Sequence, residues 1–144
     1  MRLPPNITPP SAAIADVLVR GGDDGWVTMD AGGMAAVKPL WANGESGEWA
    51  VLFRWKKGYA APRHKHLGAI HVYVVSGSVR VRDTVLHAGD YMYEPNGQIH
   101  DETLALEDCV HLNIANGPIV LFDDNGIRAY ISWEQIAAMR AASR

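Results

Sequence analysis

The stretch GYAAPRHKH, residues 58–66, places His64 and His66 one residue apart, five residues after Gly58. With Ala61–His66 as a strand, alternate side chains share a face, so both imidazoles point the same way. Their Cα atoms then stand roughly 6.5–7 Å apart. From there both rings can reach one ion at about 2.0–2.1 Å, while Arg63 and Lys65 turn to the opposite face. Further along, GDYMYEPNGQIH at residues 89–100 gives Gly89, five residues, Pro95, Gly97, two residues and His100. A Pro-x-Gly turn reverses the chain, and the spacing projects His100 from a neighbouring strand. The two stretches together bring three imidazoles around one point.

The surroundings are those of a folded single domain. The chain has 144 residues, 48% of them hydrophobic and 20% charged, which excludes a disordered polymer. A net charge of −3 with no basic arm argues against nucleic acid as a partner. Cys109 is the single cysteine, so no intrachain disulfide or zinc finger can form, which fits a reducing cytoplasm. The apolar runs are too short to span a membrane, and the proline-rich opening MRLPPNITPPS lacks the apolar centre of a signal peptide.

Short segments rich in Val, Trp, Tyr, Leu and Ile recur between turn clusters, the pattern of a sandwich or barrel. Strands are expected at 26–29, 34–41, 48–55, 61–66, 70–75, 78–81, 84–86, 91–94, 98–103, 109–114, 119–122 and 128–131. Residues 1–23 read as an arm in which Ser11 can cap a short helix over 12–19, with a strand as the alternative. Residues 24–131 read as the barrel. In the tail 132–144, Ser132 and Gln135 form a capping-box pair, and Trp133, Ile136 and Met139 make an apolar stripe of a helix docked on the barrel.

The two spacings, G-x5-H-x-H and G-x5-P-x-G-x2-H, resemble the paired motifs of the cupin superfamily. That resemblance implies an all-β, single-domain jelly-roll β-barrel with a short C-terminal helix, and a metal at His64, His66 and His100. The pattern departs from the family at one ligand. Counting back seven residues from Gly77, the usual glutamate position holds Ile70, and His71 follows it. A regular strand turns Ile70 to the cavity and His71 away; a β-bulge would instead swing His71 in as a fourth ligand. Without the carboxylate, three neutral imidazoles leave the ion its full charge and favour an anionic, two-toothed oxygen ligand. Three protein ligands on an octahedral ion also leave three positions open.

Over most of residues 24–140, with RHKHLGAIHVYVVSGSVRV and AGDYMYEPNGQIHDETL as its centre, the chain is similar to the 2,4′-dihydroxyacetophenone dioxygenase-like cupins. The resemblance implies three-histidine non-haem Fe(II) at His64, His66 and His100, and cleavage of a C–C bond beside a ketone by dioxygen. The same group includes the zinc-binding cupin domains of bacterial anti-sigma factors. The leading expectation is therefore an Fe(II) dioxygenase acting on a small hydroxy-ketone or β-dicarbonyl compound, cytoplasmic and homodimeric. The alternatives are a metal-binding sensor without turnover, and a Zn, Mn or Ni isomerase or lyase using the ion as a Lewis acid.

Further residues stand as candidates. Glu102, two beyond His100, reaches the cavity face of an unbroken strand as a general base, or is a solvated carboxylate at the strand end. Either Tyr91 and Tyr93 or Met92 and Glu94 line the cavity. One of Arg54 and Trp55 faces inward. His111 and Asn113 sit at the cavity mouth or hydrogen-bond at a subunit interface.

Overall fold

Alternation builds the sheets. In Trp49–Trp55 the side chains of Trp49, Val51, Phe53 and Trp55 are buried and Arg54 is exposed; Cys109–Ala115 repeats the pattern with Cys109, His111, Asn113 and Ala115 inside. The computed structural model describes residues 16–143. Its strands are β1 (Val27–Thr28), β2 (Ala35–Ala42), β3 (Trp49–Trp55), β4 (Ala60–Ala61), β5 (His64–His66), β6 (Ile70–Ser76), β7 (Ser78–Val81), β8 (Thr84–His87), β9 (Tyr91–Glu94), β10 (Ile99–His100), β11 (Thr103–Ala105), β12 (Cys109–Ala115), β13 (Ile119–Asp123) and β14 (Gly126–Ile131), followed by helix α1 (Trp133–Ala142).

One six-stranded sheet runs β1-β2-β3-β12-β6-β9. Two four-stranded sheets, β10-β5-β13-β14 and β4-β11-β7-β8, complete the barrel. The core joins all three: Val51 and Val74 of the large sheet meet Val79 and Ile119 of the small ones, with Ile136 of α1. Antiparallel pairing throughout and, among the described residues, a single helix at the C-terminal end match the expected all-β jelly roll.

Two expected strands are each broken in two. The 61–66 segment divides at Pro62-Arg63, and the 98–103 segment at Asp101-Glu102. At both breaks the chain passes from one small sheet to the other: β4 pairs with β11, whereas β5 pairs with β10. An ion pair of 2.7 Å between Arg63 Nε and Asp101 Oδ1 ties the two crossing points together. Of the expected helix over 12–19, residues 12–15 lie outside the described residues, and 16–19 form neither helix nor strand. Residues near Arg20 are instead strapped to β2, because the buried Lys38 ammonium donates to the carbonyls of Arg20 (2.9 Å) and Gly22 (3.3 Å).

The tail follows its sequence. Glu134 N–H donates to Ser132 Oγ at 3.2 Å and Ser132 N–H donates to Gln135 Oε1 at 2.8 Å, closing the capping box. Ile136 is buried, and Trp133 and Met139 pack on the core beside it.

The motif glycines differ in what they do. Gly77 has φ +73°, and a Cβ there would run into the backbone of Asp108 and Cys109. Gly58 has φ +90° with open space around it. Alanine at Gly58 therefore meets only the left-handed backbone cost of about 1–2 kcal/mol, whereas Gly77→Ala adds an overpacking cost of about 1–3 kcal/mol. Urea unfolding of the two variants checks this order; equal losses would contradict it.

Candidate metal centre

The site begins with strand pairing. β5 lies between β10 and β13, with His100 directly opposite His64 on one side and Ile119 opposite His66 on the other. The Pro-Asn-Gly turn is pinned to β5 by reciprocal bonds: His66 N–H donates to the Gln98 carbonyl at 2.8 Å, and Gly97 N–H donates to the His66 carbonyl at 2.8 Å. These bonds set the register that aims His100 at the pair. The three ring centroids lie 4.7–5.1 Å from one another. One nitrogen from each ring falls within 4.8 Å of the others, and among the described residues this is the group placed to hold an ion.

His66 and His100 are buried and His64 is half-buried. His64 Nδ1–H donates to the Pro62 carbonyl at 2.8 Å, which fixes the tautomer and leaves Nε2 free as a ligand atom. Burial lowers the pKa of His64 and pushes that of His66 down to about 4, so both rings are neutral at pH 7. His66 Nδ1 and both nitrogens of His100 are buried and make no well-formed hydrogen bond, although one Glu94 oxygen stands against two of them. Unpartnered buried polar atoms cost free energy, and a divalent cation at their meeting point would satisfy them. The residues present fit such an ion.

A carboxylate does stand beside the histidines, and the spacing of the first motif does not reveal it. Glu94 of β9 is buried, with Oε2 3.0 Å from His100 Nε2 and 3.3 Å from His66 Nδ1. It lies directly across from Ile70 in the pairing of β6 with β9. The acidic group absent at position 70 is thus supplied by the adjacent strand. Burial alone would raise the Glu94 pKa, but the His100 contact and the neighbouring imidazoles outweigh it and hold the group below the usual carboxylate range.

His71 does not join the three. β6 keeps its alternation through Ile70 and His71 with no bulge there, so Ile70 lines the cavity and His71 faces the outer side. His71 Nδ1 lies 2.6 Å from the Tyr91 hydroxyl on that side. Glu102 is not on the cavity either. The strand breaks just before it, alternation restarts with Thr103 inward, and Glu102 is exposed, accepting from Arg80 Nη2 at 3.0 Å. Tyr91 and Tyr93 are exposed, while Met92 and Glu94 face inward. Arg54 lies outside over the Trp26 ring, and Trp55 is the inward member of that pair.

The histidines open on a cavity of about 200 Å³ whose walls include Phe53, Trp55, Ile70, Val72 and Leu121. His111 and Asn113 also line it and are buried, so they form part of its wall.

An antiparallel jelly roll with G-x5-H-x-H and P-x-G-x2-H on two paired strands is a cupin. The chain belongs to the ChrR cupin-like domain family, whose model matches residues 15–120. The fold is similar to that of an acetylacetone dioxygenase from Acinetobacter johnsonii, with a TM-score of 0.82, 22% identity, and coverage of 91% of this chain and 95% of that one. It is also similar to an RmlC-like cupin from Ralstonia eutropha (TM-score 0.81, 28% identity, 90% and 87% covered). A third likeness is to a chain of the Rhodobacter sphaeroides SigE complex with the anti-sigma ChrR (TM-score 0.58, 28% identity, 67% and 51% covered). No curated protein matches the chain. No helix among the described residues is long and apolar enough to cross a membrane.

Burial sets a pH dependence. His111 is driven down to about 4 by desolvation, whereas an unfolded histidine takes its proton near 6.5. Between those values the unfolded chain binds more protons, so stability falls as pH falls from about 6.5 toward 4. At pH 5 this amounts to about 2 kcal/mol from His111. Urea unfolding at pH 7 and pH 5 is expected to show a smaller acid loss in His111→Gln than in the wild type; equal losses would contradict it.

Proposed function

We propose that the protein is a mononuclear metal-dependent cupin, a non-haem Fe(II) dioxygenase that cleaves a C–C bond of a small β-dicarbonyl or hydroxy-ketone compound. The observation that carries the reading is the set of three converging imidazoles, two of them with buried nitrogens that lack a well-formed hydrogen bond, at one wall of an apolar cavity. His64, His66 and His100 would hold the ion. A bound ferrous ion would supply the redox chemistry that lets dioxygen react with a chelating, electron-rich substrate. For a β-diketone the balance is one diketone and one O2 giving a carboxylic acid and a 2-oxoaldehyde, one oxygen atom entering each.

The chain's own residues have defined parts in this scheme. Ile70, Val72 and Phe53 exclude water and favour a small, mostly apolar substrate. Glu94, held anionic against His66 and His100, orients those rings and can take the proton an enolisable substrate gives up. The family likeness to ChrR supports a second reading, a metal-binding sensor domain without turnover, and zinc suits that reading. Cytoplasmic location and a homodimer belong to both readings.

Metal analysis of anaerobically purified protein, joined to oxygen uptake, separates them. Iron near one equivalent is expected, with pentane-2,4-dione or a related diketone consumed one-to-one with oxygen. His100→Ala is expected to lose the iron and at least about a hundredfold in rate, since removing a ligand leaves the ion under-coordinated. One equivalent of zinc with no uptake across diketones and hydroxyacetophenones would contradict the dioxygenase and favour the sensor.

A further inference from the structure

Among the described residues, the buried ring nitrogens outside Trp55 and His111 are hydrogen-bonded or belong to the three-histidine cluster. Trp49, fully buried, donates its Nε1–H to the Gly117 carbonyl at 3.0 Å. Trp55 and His111 differ. Trp55 Nε1 and His111 Nε2 are both buried, both lack a hydrogen-bond partner, and both residues line the cavity that holds the three histidines. Their rings meet edge to face at 4.5 Å. They come from neighbouring strands, Trp55 from β3 opposite Cys109 and His111 from β12 opposite Phe53, so they are diagonal neighbours on the inner face of the large sheet. The ladder between β12 and β6 shifts register between Val110 and His111, the kind of irregularity that re-aims a side chain.

Their hydrogen-bonding sense is set by Asn113. Its Nδ2 lies 2.6 Å from His111 Nδ1 and 3.5 Å from the His111 carbonyl oxygen. In the structure the amide presents its NH2 toward both. His111 Nδ1 is then the acceptor, and the neutral ring carries its proton on Nε2. Trp55 Nε1 is always a donor. Two residues of the cavity wall thus carry unspent donors, and each costs free energy until an acceptor arrives. The known charged groups around it favour a neutral acceptor. Glu94 is an anion in the same cavity, Lys38 is engaged by backbone carbonyls, and Arg54 lies outside.

We propose that Trp55 and His111 form a substrate-recognition subsite that binds a neutral oxygen acceptor, a carbonyl or hydroxyl oxygen, on the part of the ligand remote from its metal-chelating end. The proposal rests on the dicarbonyl reading above. It adds that the substrate carries a third oxygen, and that Trp55 and His111 select for it without belonging to the metal's ligand set. Asn113 is a positioning residue that holds the His111 tautomer.

Calorimetric binding to the Zn(II)-loaded protein tests this without turnover. The probes share chain length and chelating head: heptane-2,4-dione, heptane-2,4,6-trione with a remote carbonyl, and 4,6-dioxoheptanoate with a remote carboxylate. The wild type is expected to favour the trione over the dione by about tenfold. That preference should fall to under threefold in Trp55→Phe and in His111→Phe, with dione affinity kept within about threefold. The carboxylate should bind no better than the dione. A second readout needs no variant affinity. In a 15N–1H spectrum of the wild-type Zn(II) form, the indole N–H signal absent from Trp55→Phe should shift with the trione and stay in place with the dione. Dione binding with no trione preference, or a preference that both variants keep, overturns the subsite and leaves the dicarbonyl reading standing. Preference for the carboxylate overturns the neutral-acceptor assignment. If no probe binds the loaded protein, the dicarbonyl reading falls and the subsite falls with it.

Discussion

The structure turns on the short antiparallel pairing of β5 with β10. Only two residue pairs are formed, Ile99 with Lys65 and His100 with His64. So short a ladder would slip easily, and a slip of one residue would turn His100 to the opposite face. The register is held from outside the ladder. The Pro-Asn-Gly turn is bonded to His66 in both directions, β13 covers the other edge of β5, and the Arg63–Asp101 ion pair joins the points where the chain changes sheets. Much of the small-sheet architecture serves to keep three side chains pointing at one place.

That convergence is costly to the protein alone. Three imidazoles are drawn together at a cavity wall, and buried nitrogens of His66 and His100 find no well-formed hydrogen bond there. Burial keeps His64 and His66 neutral, the state a metal requires. Glu94 offsets part of the cost by setting an anion against His66 and His100. A cation at the centre would meet all of these groups at once. The other unpartnered donors, on Trp55 and His111, lie elsewhere in the same cavity and would not be satisfied by that ion's ligand set. The cavity therefore makes two separate chemical demands on whatever enters it.

Much of this was legible in the residues. Histidines spaced by one on a strand must share a face, and the Pro-x-Gly spacing must return His100 to them. The capping pair Ser132 and Gln135 announced the helix, and the count back from Gly77 put Ile70 at the cavity-facing position while leaving His71 open as a fourth ligand through a bulge. What alternation could not show was where strands break. Glu102 is two residues from His100 and would face the cavity in an unbroken strand, but the chain changes sheets at Asp101 and the alternation restarts. Glu94 was visible only as one of two possible inward faces of β9. Its position beside the histidines depends on β9 pairing with β6, a contact between segments distant in sequence. The orphaned donors of Trp55 and His111 are likewise a property of packing, since nothing in a sequence tells whether a buried N–H finds an acceptor.

Membership of the ChrR cupin-like domain family and likeness to solved cupins agree on the fold, and His64, His66 and His100 form a group that could hold a metal. They leave enzyme and sensor as separate readings of one centre. Both rest on a single ion held by His64, His66 and His100. X-ray diffraction from crystals grown with the native metal, recorded on either side of that metal's absorption edge, tests this most directly. The account requires one anomalous peak bonded to a nitrogen of each of the three rings at about 2.0–2.2 Å, with His71 and Glu102 outside its coordination. A fully loaded ion bound elsewhere, or at only one or two of these histidines, would contradict it.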